Sequence, residues 1–488
     1  MSTGTTTTTG TIDAERALNQ GSAIRDLADF EAYNRYRVEC DPIRRDAVER
    51  GLWRSHCGQR EDWSSLCPQL PVMEFLHTEL GGIDDSVRGF MGLQHLFGST
   101  ASLIERIVNG RIDPHDVFLL GKPYSTNQQV MRFLQWSRGY WVHPESIQQP
   151  IDRDNDGEMD RRIETVLRNV RRRLLSRYDG GEERVLLIDD GGRAIRLLHS
   201  ERFADIRHRF TCVEQTRCGI RTLADIDLEV PVVNVAESWV KLEHESPLIA
   251  ESVNHELTKQ LAVMAAAGIL TGKRALIIGY GAIGRAVSVE LSRRGFDVCV
   301  YDKQAERRDV ASRDGFPVYD DLYASLHRGG VIIGCTGLPV LDHADYGHIP
   351  DGAILISASS ADVEFRSWQL RAVGDCLGRP QDWRMTRDGL ELGAPSRDDS
   401  RHNHPCFSLF HVQNGDRHFY LVNGGFPVNF TGGIDPIPPE KIQLTRCLLY
   451  LGALQASSTT DPGLHALNDW NQHLLMAAFV SPNCRQAA

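Results

Sequence analysis

The sequence predicts an α/β protein: a Rossmann-type doubly wound parallel sheet inserted in a second α/β domain. Short apolar runs alternate with amphipathic helical stretches along most of the 488 residues. The alternation is most regular from Lys273 to about Ser357. Within that stretch Gly279-Tyr280-Gly281-Ala282-Ile283-Gly284 spells Gly-x-Gly-x-x-Gly between a strand and a helix.

The elements follow in order. The opening MSTGTTTTTG has nothing to bury, so residues 1–21 are expected to be a disordered tail. Residues 22–249 form the first part of a substrate-binding domain, with strands at Val117–Leu120 and Val185–Ile188 and helices at Ser102–Asn109 and Arg161–Arg177. The polar, acidic run Ile151–Asp160 between them reads as a surface loop. A helix over Glu251–Gly268 leads into the Rossmann domain, residues 250–434. Its strands are expected at Arg274–Ile278, Asp297–Tyr301, Val331–Ile333 and Asp351–Ser357, with a helix at Arg285–Arg294. Residues 435–488 supply C-terminal helices that return to the substrate domain or to an oligomer interface. The helix Pro438–Gln455 opens with two prolines and Glu440, as a helix start should.

Composition excludes several classes. With 54 Lys+Arg against 65 Asp+Glu the formal charge is −11, which repels nucleic acid and acidic membranes. The longest apolar run, Leu261–Leu270, is about half of what a bilayer requires, and no basic-then-apolar leader opens the chain. Eleven cysteines, an odd number without a Cys-x-x-Cys, suit a reducing compartment, so a cytoplasmic location is expected. No metal site is expected. Asp152, Asp154, Asp156 and Gly157 mimic the start of a calcium loop, but Ile163 stands where its bidentate Glu belongs. His402, His404 and Cys406 lack a fourth ligand. The arginines from Arg161 to Arg177 alternate with Ile163, Val166, Leu167, Val170 and Leu174, which makes a charged solvent face of an amphipathic helix.

The glycine motif carries chemistry. Gly279 makes the tight turn, Gly281 lets backbone approach a pyrophosphate, and Gly284 allows helix to pack on strand, while the amides of Ala282 and Ile283 open the helix. Asp302, eighteen residues past Gly284, ends the next strand, where an acid accepts from the ribose hydroxyls and repels a 2′-phosphate; the cofactor expected is NAD. Gly334-Cys335-Thr336-Gly337 ends another strand facing it.

From about residue 88 to 455 the chain also resembles the adenosylhomocysteinase (S-adenosyl-homocysteine hydrolase) family. The motifs occur in order: His95 in QHLFGSTASLIERI, KPYSTN from Lys122 to Asn127, Asp189-Asp190-Gly191-Gly192, Gln215-Thr216-Arg217-Cys218-Gly219, and PVVNVAESWVK ending at Lys241, with Glu245 beyond. Gly272–Arg285, Asp362-Val363-Glu364 and Val428-Asn429 complete the series. The resemblance implies tightly held NAD, transient oxidation of a nucleoside 3′-hydroxyl, and a homo-oligomer, dimer or tetramer. It assigns the 3′-oxidation to Lys241 held by Glu245, and proton transfer around C4′ and C5′ to Asp190 and His95. It places Thr216, Arg217, Cys218 and Asn429 at the cofactor. From spacing alone, Lys241 and Glu245 read as an ordinary helical surface ion pair.

The departures from the family fall on the substrate half. Gln215 replaces a glutamate, Arg217 and Cys218 replace two threonines, and Phe97 and Ser99 stand where a Thr and a Glu address the adenine. Ser360 and Asp435 fall at or near family histidines, and the C-terminus lacks the family's Lys and Tyr tail. Each buried polar partner left unmet costs about 1–3 kcal/mol, so ordinary adenosylhomocysteine hydrolysis is not expected. The expectation is an adenosylhomocysteinase-like NAD enzyme of hydrolase or lyase type with another nucleoside-like substrate. Two alternatives stand beside it: a non-catalytic NAD-binding regulatory paralogue, and a conventional NAD-dependent dehydrogenase, for which Arg366 and His343 show no convincing pairing.

Overall fold

The computed structural model describes residues 66–177, 183–380, 383–386, 389–392 and 404–481. The Thr-rich tail and His402 lie outside these residues. The chain divides into two compact units. One takes the chain up to Gln148, Arg162–Ser238 and the part from Gln443 on; the other takes Gln149–Arg161 and Trp239–Ile442.

The first unit is built on a seven-stranded sheet. Its first six strands are β1 (Val87–Gln94), β2 (Val117–Gly121), β3 (Trp141–Val142), β4 (Arg184–Asp189), β5 (Phe210–Glu214) and β6 (Pro231–Asn234). They lie in the order β3-β2-β1-β4-β5-β6, with Gly463–Ala466 at the edge beyond β6, and every neighbouring pair is parallel. Helices cover both faces of such a sheet, so its strands read as nearly continuous apolar runs: β2, β5 and β6 are buried throughout. The central β1 went unmarked in the sequence because Arg88, Gly89, Gly92 and Gln94 interrupt its apolar run.

Chain direction reverses between β1 and β4. In a doubly wound sheet ligands bind there, outside the carboxyl ends of the strands. His95 follows β1 and Asp190 follows β4, so the topology alone brings these two residues to one place.

The second unit repeats this order. Its strands are β7 (Arg274–Ile278), β8 (Asp297–Tyr301), β9 (Val318–Tyr319), β10 (Val331–Gly334) and β11 (Ala353–Ser357), then β12 (Asp375–Cys376), a hairpin of β13 (Trp383–Thr386) and β14 (Gly389–Leu392), β15 (Phe410–Asn414) and β16 (Arg417–Leu421). The large sheet runs β9-β8-β7-β10-β11-β16 in parallel, extended by antiparallel β15 and β12. This is the Rossmann order, with its reversal between β7 and β10. Ala275, Ile277, Val298, Val300, Ile333, Ile354 and Ile356 form its core with Leu257, Leu261 and Met264 from the preceding helix.

Several boundaries moved for local reasons. The helix expected from Arg161 begins at Asn155, so part of the expected loop is helical: the Asp154 carboxylate accepts from the Gly157 amide, and Asp156 and Glu158 suit the first turn. The helix expected at Ser102 begins at Gly98, its first turn made of small buried residues. The arginine face is not simply solvated. Arg162 is buried on Glu145 and the Gln148 carbonyl, and Arg171, Arg173 and Arg177 reach Asp205, Asp116 and Asp113. The helix Asp469–Val480 falls within residues 435–488, where C-terminal helices are expected.

One buried ion pair ties residues 149–161 into the second unit. Arg371 and Asp362 are fully buried and 2.7 Å apart. Arg371 also donates to the carbonyls of Ile151, Arg153 and Gly424 and lies over Phe426, while Asp362 accepts from the Asn155 amide. Removing one partner leaves an uncompensated buried charge. Arg371→Met is expected to destabilise the protein by about 3–5 kcal/mol, seen as a fall in the urea midpoint; an unchanged midpoint contradicts this account.

Candidate functional site

In the first unit the sequence places four polar side chains at the β1/β4 reversal. The Asp190 carboxylate receives all of its partners there. Lys122 Nζ donates to Oδ1 at 2.5 Å, the Gln215 amide donates to Oδ2, and His95 Nε2 stands 3.2 Å from Oδ2. His95 Nδ1 meets the Ser125 hydroxyl. Asp190 and Lys122 are almost fully buried, and the His95 side chain retains 17% exposure. Burial alone would raise the Asp190 carboxyl, but the Lys122 ammonium and then His95 outweigh it and hold it well below the usual carboxylate range. Burial lowers His95, with Asp190 opposing. The arrangement is a buried carboxylate held between an ammonium and an imidazole.

A second carboxylate shapes the turn. Glu214, fully buried, accepts from the amides of Gly191, Gly192 and Thr216 and from the Thr216 hydroxyl. It fills the place where a Cβ on Gly219 would lie, 2.2 Å from its carboxyl carbon. Burial pushes Glu214 well up, and Asp189 beside it adds to the rise. Thr216 thereby spends its hydroxyl on Glu214 and on capping the helix Arg217–Leu223, whose first residues Arg217 and Cys218 are exposed. Among the described residues, Gln215 Oε1 and both amide atoms of Gln94 are buried without a hydrogen-bond partner. Such groups point to a polar ligand.

In the second unit the glycine motif turns as expected. Gly279 has φ +97°, and a Cβ on it would press on Thr336 and Cys335. A Cβ on Gly284 would stand 1.9 Å from the Gly279 carbonyl oxygen, whereas Gly281 faces open space. Ala282 and Ile283 open the helix Ala282–Arg293, and no side chain caps its N-terminus. Asp302 Oδ2 accepts from the Tyr280 amide at 2.8 Å and Oδ1 from the Gln304 amide, so the acid at the end of β8 also fixes the loop. Tyr280 in turn donates to Asp314, which Arg285 holds by two nitrogens. A cradle closed to any Cβ at Gly279 and Gly284 but open at Gly281, with a helix N-terminus and an acid just past the end of β8, fits a nicotinamide dinucleotide.

Thr336 and Gly337 follow β10, and Thr336 packs on Gly279. Their amides both donate to the buried Glu364 carboxylate, at 2.6 and 3.1 Å. Asn429 lies nearby in sequence from Val428, whose amide bonds the Ser357 carbonyl at the end of β11, and Asn423 holds this turn through the carbonyls of Pro427, Val428 and Phe430. Lys241 and Glu245 form an ion pair of 2.6 Å with 15% and 14% side-chain exposure, on a π-helical turn. That burial sets them apart from an ordinary surface pair. His404 Nδ1 accepts from the Cys406 amide, which turns it inward on its own loop.

Lys122, Glu214 and Glu364 escaped notice as site residues. In KPYSTN the family resemblance lies in the Ser-Thr-Asn end, and nothing local marks a lysine that meets an aspartate 68 residues away. The Asp190 carboxyl is depressed in the folded state, so its contribution to stability is present above the unfolded value of about 3.9 and lost as pH falls through the folded value. Lys122→Met reverses the sign, because a buried carboxylate that loses its ammonium and keeps only Gln215 and His95 is raised. The variant is expected to lose about 3 kcal/mol or more at pH 7 and to recover part of that loss at pH 5. Urea denaturation at the two values tests this; a deficit that grows toward pH 5 refutes it.

No family model matches the chain. Adenosylhomocysteinase from Acinetobacter baylyi is 25% identical over 214 residues, 40% of this chain and 45% of that enzyme. The one from Aeropyrum pernix is 30% identical over 190 residues, 38% and 44%. The chain thus spans less than half the length of these enzymes. Solved structures share fold alone: a putative D-3-phosphoglycerate dehydrogenase from Ralstonia solanacearum (TM-score 0.29, 14% identity, 56% of this chain and 74% of that one) and phosphoglycerate oxidoreductase from Vibrio cholerae (0.31, 11%, 57% and 77%). No helix among the described residues is long and apolar enough to cross a membrane. An uncharacterized protein of Mycobacterium tuberculosis is 30% identical over 392 residues, covering 79% of this chain and 68% of its own length. The chain belongs to the family of that Mycobacterium tuberculosis protein, and carries a more distant likeness to adenosylhomocysteinases.

Proposed function

We propose that the protein is an NAD-dependent enzyme of adenosylhomocysteinase-like kind that transiently oxidises a hydroxyl of a nucleoside-like substrate. The observation that carries this reading is the half-buried Lys241–Glu245 pair in the same unit as the glycine cradle. Gly279, Gly281, Ala282, Ile283, Gly284 and Asp302 would hold the adenosine and pyrophosphate side of NAD, and Thr336, Gly337 and Asn429 the other side. When bound, NAD supplies reversible oxidation of a secondary alcohol.

The chain's own residues then have distinct tasks. Lys241 Nζ takes the hydroxyl proton as it passes one of its own to the Glu245 carboxylate, which also holds and orients that nitrogen. In the first unit His95 carries protons, because Asp190 already receives Lys122, Gln215 and His95 and keeps its charge. Gln215 donates an amide N–H to Asp190 and leaves a neutral acceptor, Oε1, for a substrate. A glutamate there would offer a charged one, which favours a substrate other than adenosylhomocysteine. Arg217 and Cys218, exposed at a helix start, are the residues proposed to set that preference. A homo-oligomer, dimer or tetramer, belongs to the same reading.

The purified protein is expected to carry or take up NAD and to gain absorbance near 340 nm with one member of a nucleoside panel. Lys241→Met is expected to keep the cofactor and slow that reduction by about 10²–10⁴-fold. Bound NAD that no nucleoside reduces would favour a regulatory role, and an unaffected Lys241→Met rate would remove Lys241 from the chemistry.

A further inference from the structure

Among the described residues no cation is paired with the buried acid Glu364. It is 1% exposed, and every hydrogen bond to it comes from a neutral group. Oε1 accepts from the Thr336 amide, the Gly337 amide and the Thr336 hydroxyl, and Oε2 from the Ser357 hydroxyl at 2.7 Å. Asp362, two residues earlier, is equally buried but bonded to Arg371. Burial pushes the Glu364 carboxyl up, and the two backbone amides and the hydroxyls oppose that rise, stabilising the anion without cancelling its field.

The position follows from topology. Glu364 covers Gly334, where a Cβ would stand 2.6 Å from Oε2, and so sits at the carboxyl ends of β10 and β11. A Rossmann sheet has two mononucleotide halves about its reversal, and here β7, β8 and Asp302 form the adenosine half. The β10–β11 half is left for the nicotinamide. The amides that Glu364 gathers belong to Thr336 and Gly337, and Thr336 is packed on Gly279.

We infer that Glu364 positions the loop after β10 and, through its uncompensated buried charge, makes the site prefer the oxidised, cationic nicotinamide over the reduced, neutral one. The inference rests on the dinucleotide reading. A buried charge acts strongly at short range because little water screens it. An enzyme that must return its cofactor to the oxidised form each cycle gains from such a bias.

Affinities of the full chain for NAD and NADH, measured separately at pH 8 by nicotinamide fluorescence and competition, test it without turnover. Glu364→Gln keeps the shape and removes the charge. It is expected to shift the ratio of the two dissociation constants about tenfold toward NADH, equivalent to a rise of about 30 mV in the potential of the bound couple. Glu364→Asp, which keeps the charge and shortens the reach, is expected to weaken both cofactors while retaining the wild-type ratio. Equal weakening of both by Glu364→Gln, or no change, overturns the inference and leaves the dinucleotide reading standing. If Glu364→Gln does not fold, a ratio altered in Glu364→Asp overturns it instead. A wild-type protein that binds neither cofactor overturns the dinucleotide reading and this inference together.

Discussion

At the carboxyl end of a parallel strand the chain must turn away while its amides still find acceptors, and in both units a buried carboxylate supplies them. Glu214 collects the amides of Gly191, Gly192 and Thr216; Glu364 collects those of Thr336 and Gly337. Each sits where a neighbouring residue has no Cβ, Gly219 in one unit and Gly334 in the other. Burying an acid is costly, and the charge-assisted bonds it receives offset that cost only if all are made. The loops that carry the candidate functional groups are therefore fixed by residues that need not touch a ligand.

Around Asp190 the same constraint decides the charge pattern. Asp189 and Glu214 already bring two carboxyls to the ends of β4 and β5, and Asp190 adds a third. A further acid at position 215 would face Asp190 directly. Gln215 instead donates to it, and Lys122 neutralises it. With Gln215 in place of the glutamate that the family resemblance implies, the Asp190–His95 pair has one anion fewer beside it, and Lys122 supplies its cation.

Much of this was legible wherever one segment of chain contains its own reason. Strands β7 and β8 were bounded to the residue, because apolar runs between Gly and charged residues leave no other reading. The glycine turn and Asp302 were legible for the same reason: turn, helix start and acid are local requirements. Strand β1 was not, although it is central, because Gly89 and Gly92 allow close packing that only the finished sheet explains. Helix starts at Gly98 and Asn155 were misplaced, since burial in one case and the Asp154 side chain in the other replaced the usual signals. The pairings of Lys122, Glu214 and Glu364 span 68, 23 and 28 residues, and no periodicity encodes them.

The turn after β11 shows how two acids of one short motif part company. Asp362 and Glu364 are both buried, yet Asp362 faces Arg371 and the Asn155 amide, and Glu364 faces only amides and hydroxyls. The two residues sit on one turn with Val363 between them, Asp362 beside Arg371 and Glu364 over Gly334. A salt-bridged acid is electrically closed, and its work is to hold residues 149–161 against the unit. An acid held by dipoles alone keeps its field, and that field extends along the carboxyl ends of β10 and β11. Stability and chemistry are therefore separated by a single turn of chain, and the partner of each carboxylate, not its burial, tells which task it serves.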